Sequence, residues 1–120
     1  MTNLASGRNI VLQAGDYRAR AVAVGAGLAE LTYKGGGLIT SYGNNEFAPH
    51  YMGKILLPWP NRVAAGQFSR DGVDYQLPAN DMKHNAALHG LMAWVEWQVA
   101  EVSDSEVTFK ALVPPRPGYP

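Results

Sequence analysis

The stretch Gly66–Leu77, GQFSRDGVDYQL, restricts the fold more than any other part of the chain. A two-residue hairpin turn asks for positive φ at both central positions, and Asp71-Gly72 tolerates it. Beyond that turn Val73, Tyr75 and Leu77 take one face while Asp74 and Gln76 take the other, the period of two that a strand imposes. These residues predict a β-hairpin, and a sheet built from it is antiparallel.

The same period recurs along the chain. Tyr17–Val24 (YRARAVAV) alternates and ends at Gly25-Ala26-Gly27. Leu28, Leu31 and Tyr33 follow, and after Gly35-Gly36-Gly37 comes Leu38–Gly43 (LITSYG). The pattern predicts three short strands separated by glycine turns. A second hairpin is predicted around Ser103-Asp104-Ser105. Val95, Trp97 and Val99 line one face of its first arm, and Val107, Phe109 and Ala111 line one face of its second. No stretch sustains a 3.6-residue apolar period, and His50–Gly53 allows one helical turn at most. The expectation is an all-β, antiparallel β-sandwich, a single domain over residues 1–120 with long loops at 41–65 and 78–92. The closing LVPPRPGYP fits either a disordered terminus or a structured loop.

Ten Lys+Arg balance ten Asp+Glu, which argues against nucleic acid or an anionic membrane as partner, since both select a net basic face. With no cysteine, disulfides, thiolate metal sites and cysteine nucleophiles are excluded. The first residues lack an apolar h-region, and no run approaches the ~20 apolar residues of a membrane span. A soluble, cytoplasmic protein is expected.

Few residues remain as candidates for chemistry. Neither glycine cluster forms G-x-G-x-x-G, so both read as turns. Asp81 and His84, with His89 nearby, match no common metal-ligand spacing, and no serine sits in a G-x-S-x-G elbow. The segment LPWPNRV (Leu57–Val63) stands apart. Pro58 and Pro60 fix their own φ and bias their predecessors toward extended backbone, which would aim Asn61 and Arg62 from a stiffened loop. The planar guanidinium of Arg62 suits paired acceptors such as vicinal hydroxyls. It suits equally a stack on Trp59 or a pair with a surface carboxylate. His89, between Leu88 and Gly90, reads by itself as a buried histidine bonded to a carbonyl. Trp97 belongs with the strand's apolar face, and Trp94 packs at the strand entry or offers a sugar-stacking surface.

In combination, KILLPWPNRVAAGQFSRDGVDYQLPAN, then NAALHGL and a tryptophan shortly after, resembles the aldose 1-epimerase (galactose mutarotase) family. The family's order is an Asn-Arg loop, a G-x-F/Y…G-x-x-Y-x-L hairpin, a His-Gly loop and a tryptophan-bearing strand. This resemblance implies part of a galactose mutarotase-like β-supersandwich that interconverts the α and β anomers of free aldohexoses without a cofactor or metal. It assigns substrate binding to Asn61, Arg62 and His89, with a small-molecule sugar such as glucose or galactose as partner. The family's acid histidine and base glutamate lie downstream of these motifs. The expectation is therefore an N-terminal portion that holds the sugar-binding loops, is inactive alone, and can self-associate through open sheet edges. The alternative is a non-catalytic carbohydrate-binding β-sandwich module.

Overall fold

A computed structural model describes residues 4–120. Ten strands follow in chain order: β1 (Asn9–Ala14), β2 (Tyr17–Val22), β3 (Gly27–Tyr33), β4 (Gly36–Gly37), β5 (Arg62–Ala64), β6 (Gln67–Arg70), β7 (Val73–Gln76), β8 (Ala86–Leu88), β9 (Gln98–Val102) and β10 (Val107–Lys110). Every ladder is antiparallel. A single 3₁₀ turn, Pro49–Tyr51, is the only helical element among the described residues, sharing His50 and Tyr51 with the predicted helical turn. None of the described residues forms a helix long and apolar enough to cross a membrane.

The chain divides into two compact units. The first runs to Ile55 and includes Ala93–Ala111; the second comprises Leu56–Met92 and Leu112–Pro120. In the first, β1 to β4 form a sheet in sequence order, and β9 pairs with β10. A small core of Val22, Ala29, Tyr42 and Ala48, joined by Met52, sits against this sheet. Its residues are mostly small, so close backbone approach does much of the packing: a Cβ on Gly53 would lie 2.1 Å from the Leu28 carbonyl oxygen. Trp94 packs here too, edge-on to Phe47, tilted against Tyr51, with Lys54 Nζ 4.3 Å from its ring centre.

Two expectations change, and one strand is added. Leu38–Gly43 is not a strand. Pairing beyond β3 is confined to Gly36–Gly37, and after Leu38 bonds Leu31 the segment turns so that Tyr42 enters the core. Its backbone is satisfied irregularly, by Tyr42 N–H to Ala29 and by the Arg20 guanidinium on the Tyr42 carbonyl. The first arm of the second hairpin starts only at Gln98, so Trp97 precedes it, half-buried, with its N–H on the Ala23 carbonyl. And β1, unread in the sequence, pairs along its whole length with β2.

In the second unit the Asp71-Gly72 hairpin forms as predicted, with Phe68 opposite Tyr75 and their rings stacked at 5.1 Å. The proline-rich end is a structured loop. Arg116 and Tyr119 exchange backbone bonds of 3.0 and 2.9 Å, and the Tyr119 ring lies 6.0 Å from that of Trp59.

Candidate functional site

The two segments expected to be loops each contain a three-residue strand, and those strands pair. Arg62 lies opposite Leu88, Val63 opposite Ala87, and Ala64 opposite Ala86. Ala86 and Ala87 are buried, which anchors one side of the ladder. Bonds continue past both ends: Ala65 N–H donates to Asn85 O at 2.8 Å, and His89 N–H donates to Asn61 O at 2.9 Å. This ladder brings the Asn-Arg segment and the His-Gly segment together.

Backbone geometry at the ends is unusual. Asn61 (φ 61°) and Ala65 (φ 55°) flank β5, while Asn85 (φ 47°) and His89 (φ 58°) flank β8. All four are left-handed, a conformation that costs an L-residue about 1–2 kcal/mol and that Asn tolerates best. The Leu57–Pro58 peptide is cis. Gly90 is required by a close approach: a Cβ there would stand 2.0 Å from Leu57 O and 2.3 Å from Leu57 C. What approaches this glycine is the chain's own LPWP backbone, clamped further by Leu91 N–H on Leu57 O at 2.6 Å.

The Asn61 N–H donates to His89 Nδ1 at 2.9 Å. In that role Nδ1 offers its lone pair, so the neutral ring carries its proton on Nε2 as a donor. Burial first, and then the positive charge of Arg62, hold the His89 pKa below the usual histidine value, keeping the ring neutral at pH 7. At Nδ1 the partner of the ring is thus a main-chain donor.

Arg62 is half-open, its side chain 43% exposed, and its Nε donates to Asp81 Oδ2 at 2.7 Å. Nη1 lies 3.5 Å from Asn61 Oδ1, and Nη2 meets no acceptor among the described residues. Of the alternatives open for Arg62, the carboxylate pair forms. The stack on Trp59 does not: Trp59 Nε1–H donates to Ala87 O at 3.3 Å and its ring faces Tyr119.

Asp81 has no sequence signal beyond its i, i+3 relation to His84. Its Oδ2 lies 2.8 Å from His84 Nδ1, and the Arg62 bond, then His84, hold its carboxyl down at about 2 against an opposing effect of desolvation. Asn80 is equally silent in the sequence. Its side chain accepts from Leu88 N–H at 2.6 Å and donates to Leu88 O at 3.1 Å, mimicking a strand on the outer edge of β8. Beyond that spacing for Asp81, position within the predicted loop is all that could have pointed to either.

Chemically, the site gathers polar groups on a short ladder: the Arg62 guanidinium, the His89 imidazole and the Asn61 side-chain amide. Its one carboxylate is already engaged twice.

Comparison with known proteins gives this arrangement a family. The aldose 1-epimerase family profile matches residues 8–120. The uncharacterized protein YihR of Escherichia coli (strain K12) is 47% identical over all of this chain, which spans 39% of that protein's length. Galactose 1-epimerase from Lactobacillus acidophilus NCFM superimposes with a TM-score of 0.73 at 24% identity, over 89% of this chain and 34% of its own. A galactose mutarotase-like protein from Clostridium acetobutylicum gives 0.67 at 27% identity, over 80% and 32%. The fold is galactose mutarotase-like, the chain covers about two fifths of the length of the curated relative it matches throughout, and with residues 8–120 matched it belongs to the aldose 1-epimerase family.

Proposed function

We propose that Asn61, Arg62 and His89 hold the hydroxyls of a free aldohexose within an aldose 1-epimerase. The observation that carries this reading is the Asn61 N–H···Nδ1 bond to His89 at 2.9 Å. It ties the two motif-bearing segments into one unit and turns His89 Nε2–H into a fixed donor. Arg62 adds planar donors spaced for neighbouring hydroxyl oxygens, and Asn61 can both donate and accept.

Anomer exchange needs more. A base removes the C1 hydroxyl proton while an acid protonates the ring oxygen, the C1–O bond opens, C1–C2 rotates and the ring recloses. A general base works best with a pKa near the operating pH. Asp81, at about 2, is far too weak a base and is bound to Arg62 and His84. His89 is neutral with its Nδ1 lone pair committed to Asn61, so it has no basic nitrogen to spare. These residues therefore bind the sugar, and proton transfer falls to groups other than these.

The test is twofold. Titration with D-galactose and D-glucose, followed by His89 ring resonances, is expected to show saturable shifts. Arg62→Ala should weaken them roughly 10- to 100-fold, the cost of losing charge-assisted hydrogen bonds. Polarimetry of freshly dissolved α-D-galactose should give the buffer rate. No sugar-dependent shift at His89 overturns the binding role; an Arg62-dependent acceleration of mutarotation overturns the division between binding and proton transfer.

A further inference from the structure

We infer that Asp81 is the positioning residue for Arg62, fixing the plane of its guanidinium so that the Nη edge stays turned to ligand. As a statement about the sugar site this rests on the function proposed above; as a statement about Arg62 it does not.

The argument starts from exposure. The Asp81 side chain is 11% exposed, its partner Arg62 43%, so a sunken carboxylate holds an open guanidinium. With the Arg62 partner open to solvent, screening limits what the pair adds to stability, which leaves geometry as the stronger reason for the contact. The bond is made through Nε at 2.7 Å. Nε is the only guanidinium nitrogen inside the side chain, so engaging it stops rotation of the planar group while leaving Nη2 unbonded among the described residues and Nη1 with only the long 3.5 Å contact to Asn61 Oδ1. Engagement through Nη would have used up the donors a diol needs.

A positioning group must itself be fixed, and Asp81 is. Its backbone exchanges bonds with Ala86, 3.0 Å one way and 3.2 Å the other. The preceding Asn80 clasps Leu88 through both its amide atoms. Residues 80–81 are thus docked on the edge of β8, whose other edge carries Arg62 opposite Leu88. His84 then grips the same Oδ2 at 2.8 Å, with its backbone N–H 3.4 Å from Oδ1. Carboxylate and guanidinium are both referenced to one three-residue strand.

The decisive readout is the Arg62 Nε–Hε resonance of the full chain, which needs no ligand. In the wild type it should be shifted by the carboxylate and protected from solvent exchange. In Asp81→Ala it should move to the position of an exposed arginine and exchange at least about tenfold faster, while the amides of β5 and β8 keep their shifts. Asp81→Asn, which retains an acceptor oxygen at the same place, should restore most of the protection. An unchanged Hε in Asp81→Ala overturns the inference. If Asp81→Ala fails to fold, an Hε that is already unprotected in Asp81→Asn or in the wild type overturns it just as well.

Affinity for D-galactose supplies a second arm. Asp81→Ala should weaken binding about tenfold, within the coupling seen between contacting residues, and add nothing to Arg62→Ala. A double variant weaker than Arg62→Ala alone would mean that Asp81 acts on the sugar itself and would overturn the positioning role. A wild-type chain that binds no sugar strikes the proposed function, and the Hε measurement still decides on Asp81.

Discussion

The β6–β7 hairpin and the β5–β8 ladder lie side by side in the chain and are built on opposite economies. In the hairpin, positive φ falls on Asp71 (51°) and Gly72 (77°), residues that accept it, and the partners are separated only by the turn. In the ladder, strands of three residues are closed at every end by a left-handed Asn, Ala or His, and the partners are joined through the whole hairpin and the following loop. The hairpin is stabilised by its own sequence. The ladder has too few bonds to offset strain of about 1–2 kcal/mol per left-handed residue, so it depends on packing from outside: Gly90 under Leu57, Trp59 on Ala87 and Asn80 on Leu88. The strained element is the one that carries the candidate site, as expected where side chains must be aimed.

The sharpest way to break this comparison is to add one methyl group to each. Gly90→Ala would press a Cβ into the Leu57–Pro58 backbone, which cannot swing aside as a side chain could, at a residue with φ 71°. A loss of roughly 3 kcal/mol or more is expected, overpacking added to backbone strain. At Gly72, with φ 77°, nothing lies within 4 Å of the place an added methyl carbon would take, so Gly72→Ala should cost only about 1 kcal/mol. Urea unfolding of both variants checks this. Equal losses would show that the ladder's close contact yields as easily as open space.

A smaller effect of opposite sign tests the strain directly. Ala65 holds φ 55° with no polar side chain to compensate. Ala65→Gly should therefore stabilise by about 0.5 kcal/mol, the relief at Ala65 less the extra freedom gained by the unfolded chain. Ala64→Gly, one residue earlier inside β5, should destabilise by about 0.5–1 kcal/mol. If both destabilise alike, the ladder ends are not strained.

The same contrast explains what can be read from the sequence. Alternation makes the hairpin legible because Val73, Tyr75 and Leu77 repeat a period over five residues with a turn signal in front. It makes β2, most of β3 and the Ser103–Ser105 turn legible for the same reason. Three residues of Arg62–Ala64 or Ala86–Leu88 cannot display a period, and their pairing is set by contacts more than twenty positions away, so both read as loops. Leu38–Gly43 misleads in the opposite direction: Leu38, Ile39, Thr40 and Tyr42 are strand-forming residues set between glycines, yet Tyr42 is drawn into a core that only the folded sheet creates. Asn61, Arg62 and His89 are legible as a set through the order of family motifs. Asp81 is not, since its relation to Arg62 exists only once residues 80–81 dock on β8.

The smallest effect concerns His89 and acid. Its folded-state pKa lies below the ordinary value of 6.5 because burial, and then Arg62, disfavour the imidazolium. Between those two pKa values the unfolded chain binds more protons than the folded one, so stability rises with pH there. The contribution is complete above about pH 6.5 and is lost as pH falls through the folded-state value. Protonating Nδ1 would also remove the acceptor of the Asn61 N–H, so loss of the ladder's end bond and loss of stability should follow one titration. Measured by NMR, the His89 ring should titrate below 6.5 and the Asn61 amide should shift with the same midpoint. His89→Gln should flatten the corresponding part of the stability profile while leaving the β6–β7 amides unmoved. If the Asn61 amide instead stays fixed as His89 protonates, the ladder's end is held by Gly90 and its neighbours alone, and the imidazole contributes nothing to the element that presents it.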